Sequence, residues 1–121
     1  MLVFEKVRAI CQQMPRYKEI VRSATFSPRA RDFFDIYLLL NRFPFDLNGE
    51  ENVDLLKRIF EVKMVPIEFI LQIRDHREYH RLGYDSLKDT VKASHQLKTF
   101  DFYFDYVVDR LENMLIHNPF G

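Results

Sequence analysis

One run constrains this chain more than any other: Arg29-Ala30-Arg31-Asp32-Phe33-Phe34-Asp35-Ile36-Tyr37-Leu38-Leu39-Leu40. Ser27 can cap a helix with its side-chain oxygen, and Pro28 suits a first helical position, where no N–H is needed. Pro44 then stops the element, so the pattern predicts a helix over 28–42. From Phe33 to Leu40 nearly every residue is apolar, so this helix is expected inside the protein rather than on its surface. Asp32 and Asp35 break that rule. They lie three apart on one face, with Arg31 a turn before Asp35. Burying carboxylates costs several kcal/mol unless something compensates. Their face is therefore expected to open onto a cleft or a partner.

The other segments read as helices arranged around this one. Val3, Phe4, Val7, Ile10, Cys11 and Met14 follow helical spacing to about Gln13, where Pro15 intervenes. A short turn is expected around Tyr17–Arg22. A helix over 51–64 presents Val53, Leu56, Phe60 and Met64 along one side. Pro66 opens another helix, carrying Phe69, Ile70 and Ile73 to about His80, and Gly83 breaks it. A weaker helix spans about 86–97. In the last, Thr99 caps and Asp101 meets the positive end of the helix dipole. Its core stripe is Phe100, Phe104, Val107, Val108, Leu111, Met114 and Leu115. Phe102 and Tyr106 fall on the opposite side, beside Asp105, Asp109 and Glu112. They form either a second buried contact or an exposed docking strip for a partner.

With three glycines and no strand-period segment, the expectation is a single all-α domain over residues 1–121, a bundle of about five helices. No apolar run is long enough for a membrane span, and charges interrupt the N-terminus too early for a signal peptide. We therefore expect a cytoplasmic protein without membrane contact. Cys11, the only cysteine, fits a small apolar core residue, with no partner for a disulfide or zinc cluster. The zero net charge is uneven. Residues 1–31 hold seven Lys/Arg against Glu5 and Glu19, a net of +5, so the remainder nets −5. A basic first third suits phosphate-bearing ligands or a solvated surface.

Lys6, Arg31, Asp32 and Asp35 are the strongest candidates for chemistry. A lysine can hold phosphate as a point charge, and a carboxylate can position a hydroxyl or accept a proton. The competing reading is a structural ion-pair network. His76 and His80 are four apart, but the intervening residues lack the zinc-protease order and no third ligand is evident, so a surface pair is expected and no metal is assigned. His95 and His117 are isolated. A glycine-rich phosphate loop is absent, and so is a strongly basic recognition helix.

Two of these segments resemble a known family. Phe4-Glu5-Lys6-Val7-Arg8-Ala9-Ile10 matches an E-K-[LIV]-x-A-[LI] pattern, and Arg31-Asp32-Phe33-Phe34-Asp35-Ile36-Tyr37-Leu38-Leu39 matches R-D-x-[YF]-D-[LI]-Y-x-L. In this order, about 25 residues apart, they resemble the C-terminal helical half of AbiEii/AbiGii-type nucleotidyltransferase toxins. The resemblance implies nucleotide transfer from a triphosphate, with magnesium, to an acceptor such as a tRNA end. It also implies a toxin–antitoxin or abortive-infection setting with an antitoxin partner. By motif, Lys6 would contact nucleotide phosphate, while Asp32 and Asp35 would lie at the catalytic cleft, oriented by Arg31. The family's α/β core, with its Gly-Gly segment and Asp-x-Asp metal ligands, has no counterpart in this sequence. The uncapped start on an apolar face fits that reading. We therefore expect a truncated or split product, inactive alone, that needs an N-terminal nucleotidyltransferase half. A homodimer would be another way to cover the exposed surface. The alternatives are a stand-alone helical module that binds an antitoxin-like partner through Phe102 and Tyr106, or a nucleic-acid-binding module using the basic first third.

Overall fold

In a computed structural model, which describes residues 2–43, 46–90 and 97–117, every regular element is helical. The α-helices are α1 (Leu2–Gln12), α2 (Pro15–Lys18), α3 (Ala30–Arg42), α4 (Glu50–Val62), α5 (Arg77–Arg81), α6 (Tyr84–Thr90) and α7 (Phe100–His117). A 3₁₀ helix, Ile67–His76, runs directly into α5. The all-α expectation holds, and the one-turn α2 and the division of the expected helix after Pro66 into a 3₁₀ helix and α5 account for the higher helix number among the described residues.

At the centre lies α3, packed most extensively on α7 and next on α1, with α6 against its N-terminal part. α1 also contacts α4 and the 3₁₀ helix, which in turn touches α7. Phe33 explains why α3 is central. Fully buried, its ring meets Phe104 at 5.1 Å, His80 at 5.3 Å and Phe100 at 5.9 Å, tying α5 and α7 to α3 through one residue. The α7 stripe is buried as its spacing predicts, and Tyr103 joins it. Thr99 caps α7 through its hydroxyl, which accepts the Phe102 N–H at 3.2 Å.

Several local expectations are corrected. Ser27 does not cap α3; its hydroxyl lies 3.5 Å from the Gln13 side chain, and Arg29 is the N-cap residue, with no side chain of the chain's own start bonded there. Pro28 precedes the helix rather than opening it. Pro15 starts the one-turn α2, earlier than the expected turn around Tyr17. The segment after Pro66 is 3₁₀ over Ile67–His76, with Ile70 and Ile73 buried three apart, the 3₁₀ period. Met64 leaves the α4 stripe and is 79% exposed, with Val65 buried in its place. Nor are the histidines a surface pair. His80 is fully buried, and the half-buried His76 donates from Nδ1 to the Gln72 carbonyl at 2.9 Å. Residues 91–96, with the latter part of the expected 86–97 helix and His95, lie outside the described residues, as does Pro44.

No helix among the described residues is long and apolar enough to cross a membrane.

Candidate functional site

The first turns of α3 turn their polar side toward the middle of α1 and the start of α6. This leaves a cleft of about 700 Å³, walled by Lys6, Arg29, Arg31, Asp32 and Asp35 with Pro28, Gly83, Ser86 and Thr90. All four residues singled out in the sequence are thus brought together. Lys6 reaches α3 because helical periodicity puts it on the flank of the α1 face that buries Val3, Val7 and Ile10. Its Nζ donates to Asp35 Oδ2 at 3.0 Å and lies 3.6 Å from Asp32 Oδ1.

Asp32 is the unusual member. Its carboxylate is 5% exposed, and its two oxygens face different cations: Lys6 on Oδ1 and the Arg29 guanidinium on Oδ2, the latter at 2.5 Å. Asp35 is more open and takes Lys6 and, at 3.7 Å, Arg31. Arg31 extends across the cleft to donate to Thr90 Oγ1 at 3.2 Å. Three cations therefore surround two carboxylates, for a formal net charge of +1. Each acid holds cations in place, and the cations present the remaining positive potential to the cleft.

Three cations around two carboxylates form a donor set that can hold a phosphate. Both carboxylates here are paired with ammonium and guanidinium groups. Among the described residues no group of three or more His, Cys, Asp or Glu is placed to hold a metal.

Arg29 was missed in the sequence, although its i,i+3 spacing to Asp32 is the signal that could have found it. No local signal points to His80. Fifty-one positions from Arg29, its Nδ1 accepts the Arg29 backbone N–H at 3.1 Å. The ring proton therefore resides on Nε2, which is buried and has no partner among the described residues. Burial, then the neighbouring His76 and Arg29, lowers the His80 pKa to about 3, so the ring is neutral.

Phe102 and Tyr106 form a separate cluster around Tyr37 of α3, at ring separations of 5.3 and 4.8 Å. Asn41 donates to the Tyr106 hydroxyl at 3.1 Å. Lys98 lies over the Phe102 ring and Arg110 over the Tyr106 ring. The acids flanking them face the other way: Asp105 pairs with Arg77, and Asp109 and Glu112 pair with Arg74. Cys11 is buried, and burial pushes its thiol pKa up, which removes it as a nucleophile.

No curated protein and no solved structure shows a significant match to the chain. The model of a nucleotidyl transferase family of type IV toxin–antitoxin systems does match, over residues 1–106, and that span includes both helices carrying Lys6, Asp32 and Asp35. The chain therefore belongs to the nucleotidyl transferase AbiEii toxin family.

Proposed function

We propose that this chain forms the helical wall of a nucleotide-binding cleft. Its cations hold the phosphates of a nucleoside triphosphate. An α/β nucleotidyltransferase core, with the metal-binding carboxylates, is supplied outside these 121 residues. The observation that carries this reading is the convergence of Lys6, Arg29 and Arg31 on the buried Asp32 and its neighbour Asp35. Lys6 is the phosphate contact: its side chain is 21% exposed and held from behind by two carboxylates. Arg31, at 59% exposed, is free to swing from Thr90 onto a phosphate.

In this reading Asp32 and Asp35 serve the reaction by positioning cations. Phosphoryl and nucleotidyl transfer rely on fixed positive charge around the reacting phosphate. The sequence holds no Gly-Gly pair and no Asp-x-Asp, so this chain alone transfers no nucleotide. Complementation is the test. Adding a purified α/β core should restore labelling of RNA by a radiolabelled triphosphate with wild type. Lys6→Ala and Asp32→Ala should lower that labelling at least about 100-fold. Labelling by the 121-residue chain without a core overturns the split-site reading.

A second reading is binding of an antitoxin protein through α7. It rests on Phe102, which keeps 37% of its surface exposed, whereas Tyr106 is committed to Tyr37 and Asn41. Phe102→Ala separates the two readings, because it should leave complemented labelling unchanged while weakening a protein complex formed there.

A further inference from the structure

We infer that His80 is a positioning residue of the cleft: from α5, its Nδ1 holds the Arg29 backbone N–H and fixes the start of α3, where Arg29 clamps Asp32 beside Lys6. The inference rests on the phosphate-cleft reading above, and its test separates the two.

The start of α3 has no cap from its own side chains. Ser27, the residue placed to supply one, is turned to Gln13. The Arg29 N–H would then lack a partner in a half-buried position, and His80 supplies it across 51 residues of chain. His80 can do this because it cannot move. It is fully buried, its ring lies 5.3 Å from Phe33, and Phe33 is wedged between Phe100 and Phe104. The corner between α5 and α6 also meets this turn directly. A Cβ placed on Gly83 would stand 3.4 Å from Pro28 Cβ and 3.5 Å from Ala30 Cβ.

Packing alone does not account for a histidine here. Leu or Phe would fill such a site without a buried polar atom of its own, whereas His80 leaves Nε2–H buried and unpaired among the described residues. What the histidine adds is the acceptor at Nδ1. One backbone bond therefore sets the origin from which the Arg29 side chain reaches Asp32. Asp32 in turn faces the lysine assigned to phosphate.

The experiment uses the full chain with inorganic tripolyphosphate as the probe, measured by calorimetry at neutral pH. An asparagine carries its amide oxygen close to the position of Nδ1, whereas glutamine carries its own near Nε2. His80→Leu and His80→Gln are expected to weaken tripolyphosphate binding about tenfold, and His80→Asn to stay within about threefold of wild type. Val108→Ala, a cavity in the core beneath α7, is expected to lower stability while leaving binding within about twofold. Wild-type affinity in both His80→Leu and His80→Gln, with binding lost in Lys6→Ala, overturns the positioning role and leaves the cleft reading intact. If His80→Leu does not fold, the contrast between His80→Asn and His80→Gln decides. If wild type binds no tripolyphosphate, the cleft reading fails, and nitrogen NMR decides the role of His80 in organising the turn. A proton on Nε2 and a coupling from the Arg29 amide to Nδ1 support it; a proton on Nδ1 overturns it.

Discussion

Asp32 and His80 are buried in a largely apolar interior among the described residues, and both act on the same turn of α3. Asp32 is tolerable because its oxygens meet two cations that themselves stay partly in water, so the desolvation cost falls mainly on one ion. His80 is tolerable because it is neutral, and that has a consequence for stability. Its folded pKa of about 3 lies below the ordinary value of 6.5. Between these values the unfolded chain binds the proton that the folded chain refuses, so the stabilisation is complete above pH 6.5 and is lost as pH falls toward 3. From pH 7 to 5 wild type should lose roughly 2 kcal/mol through this group alone. The carboxylates held low by arginine, among them Glu5, Glu78 and Asp101, titrate below that window. Urea midpoints at pH 7 and 5 check it: His80→Phe should remove most of the slope, and an unchanged slope would assign the acid sensitivity elsewhere.

The end of α4 shows how a helix can stop without glycine. The Val65 N–H returns to the Phe60 carbonyl and the Met64 N–H to that of Glu61, both at 3.0 Å, which is the Schellman pattern. It requires a left-handed residue at position 64, and Met64 adopts φ 57° there. Val65 then closes the motif by burying itself near Phe60. Spacing alone assigns Met64 to the buried stripe, because residues 53, 56, 60 and 64 keep helical period; the left-handed turn throws it outward instead. A left-handed side chain costs about 1–2 kcal/mol, which glycine avoids. Met64 also buries little, at 79% exposed. Met64→Gly should therefore stabilise the protein by roughly 0.5–1 kcal/mol, read from its urea midpoint. A destabilisation would mean that Met64 makes contacts worth more than its strain.

Over the whole molecule, what was legible in the sequence depended on whether its cause was local. The α3 and α7 faces could be read because apolar spacing dictates which side packs. The gathering of Lys6 with Asp32 and Asp35 could be read only through the paired motifs, since 29 residues separate Lys6 from Asp35. The Arg29–His80 bond could not be read at all, because it depends on where Phe33 parks a distant ring. The charge asymmetry also resolves at this scale. The acids of α7 are taken up by Arg74, Arg77 and Arg81, while the basic first third feeds a cleft with one cation in excess. A polyanion that binds this cleft only in the folded state must stabilise the fold, by about 2.7 kcal/mol at a hundredfold excess over Kd. For a chain of this size, that is a rise in Tm of roughly 10 °C with tripolyphosphate. Part of the attraction is between partly exposed charges, so the rise should shrink between 0.05 and 0.5 M salt, concentrations over which screening shortens from about 14 to about 4 Å. Lys6→Ala should abolish it, and Phe102→Ala, in the separate aromatic cluster, should leave it whole. A tripolyphosphate shift that survives Lys6→Ala would place the anion elsewhere on the basic third and remove the cleft from the argument.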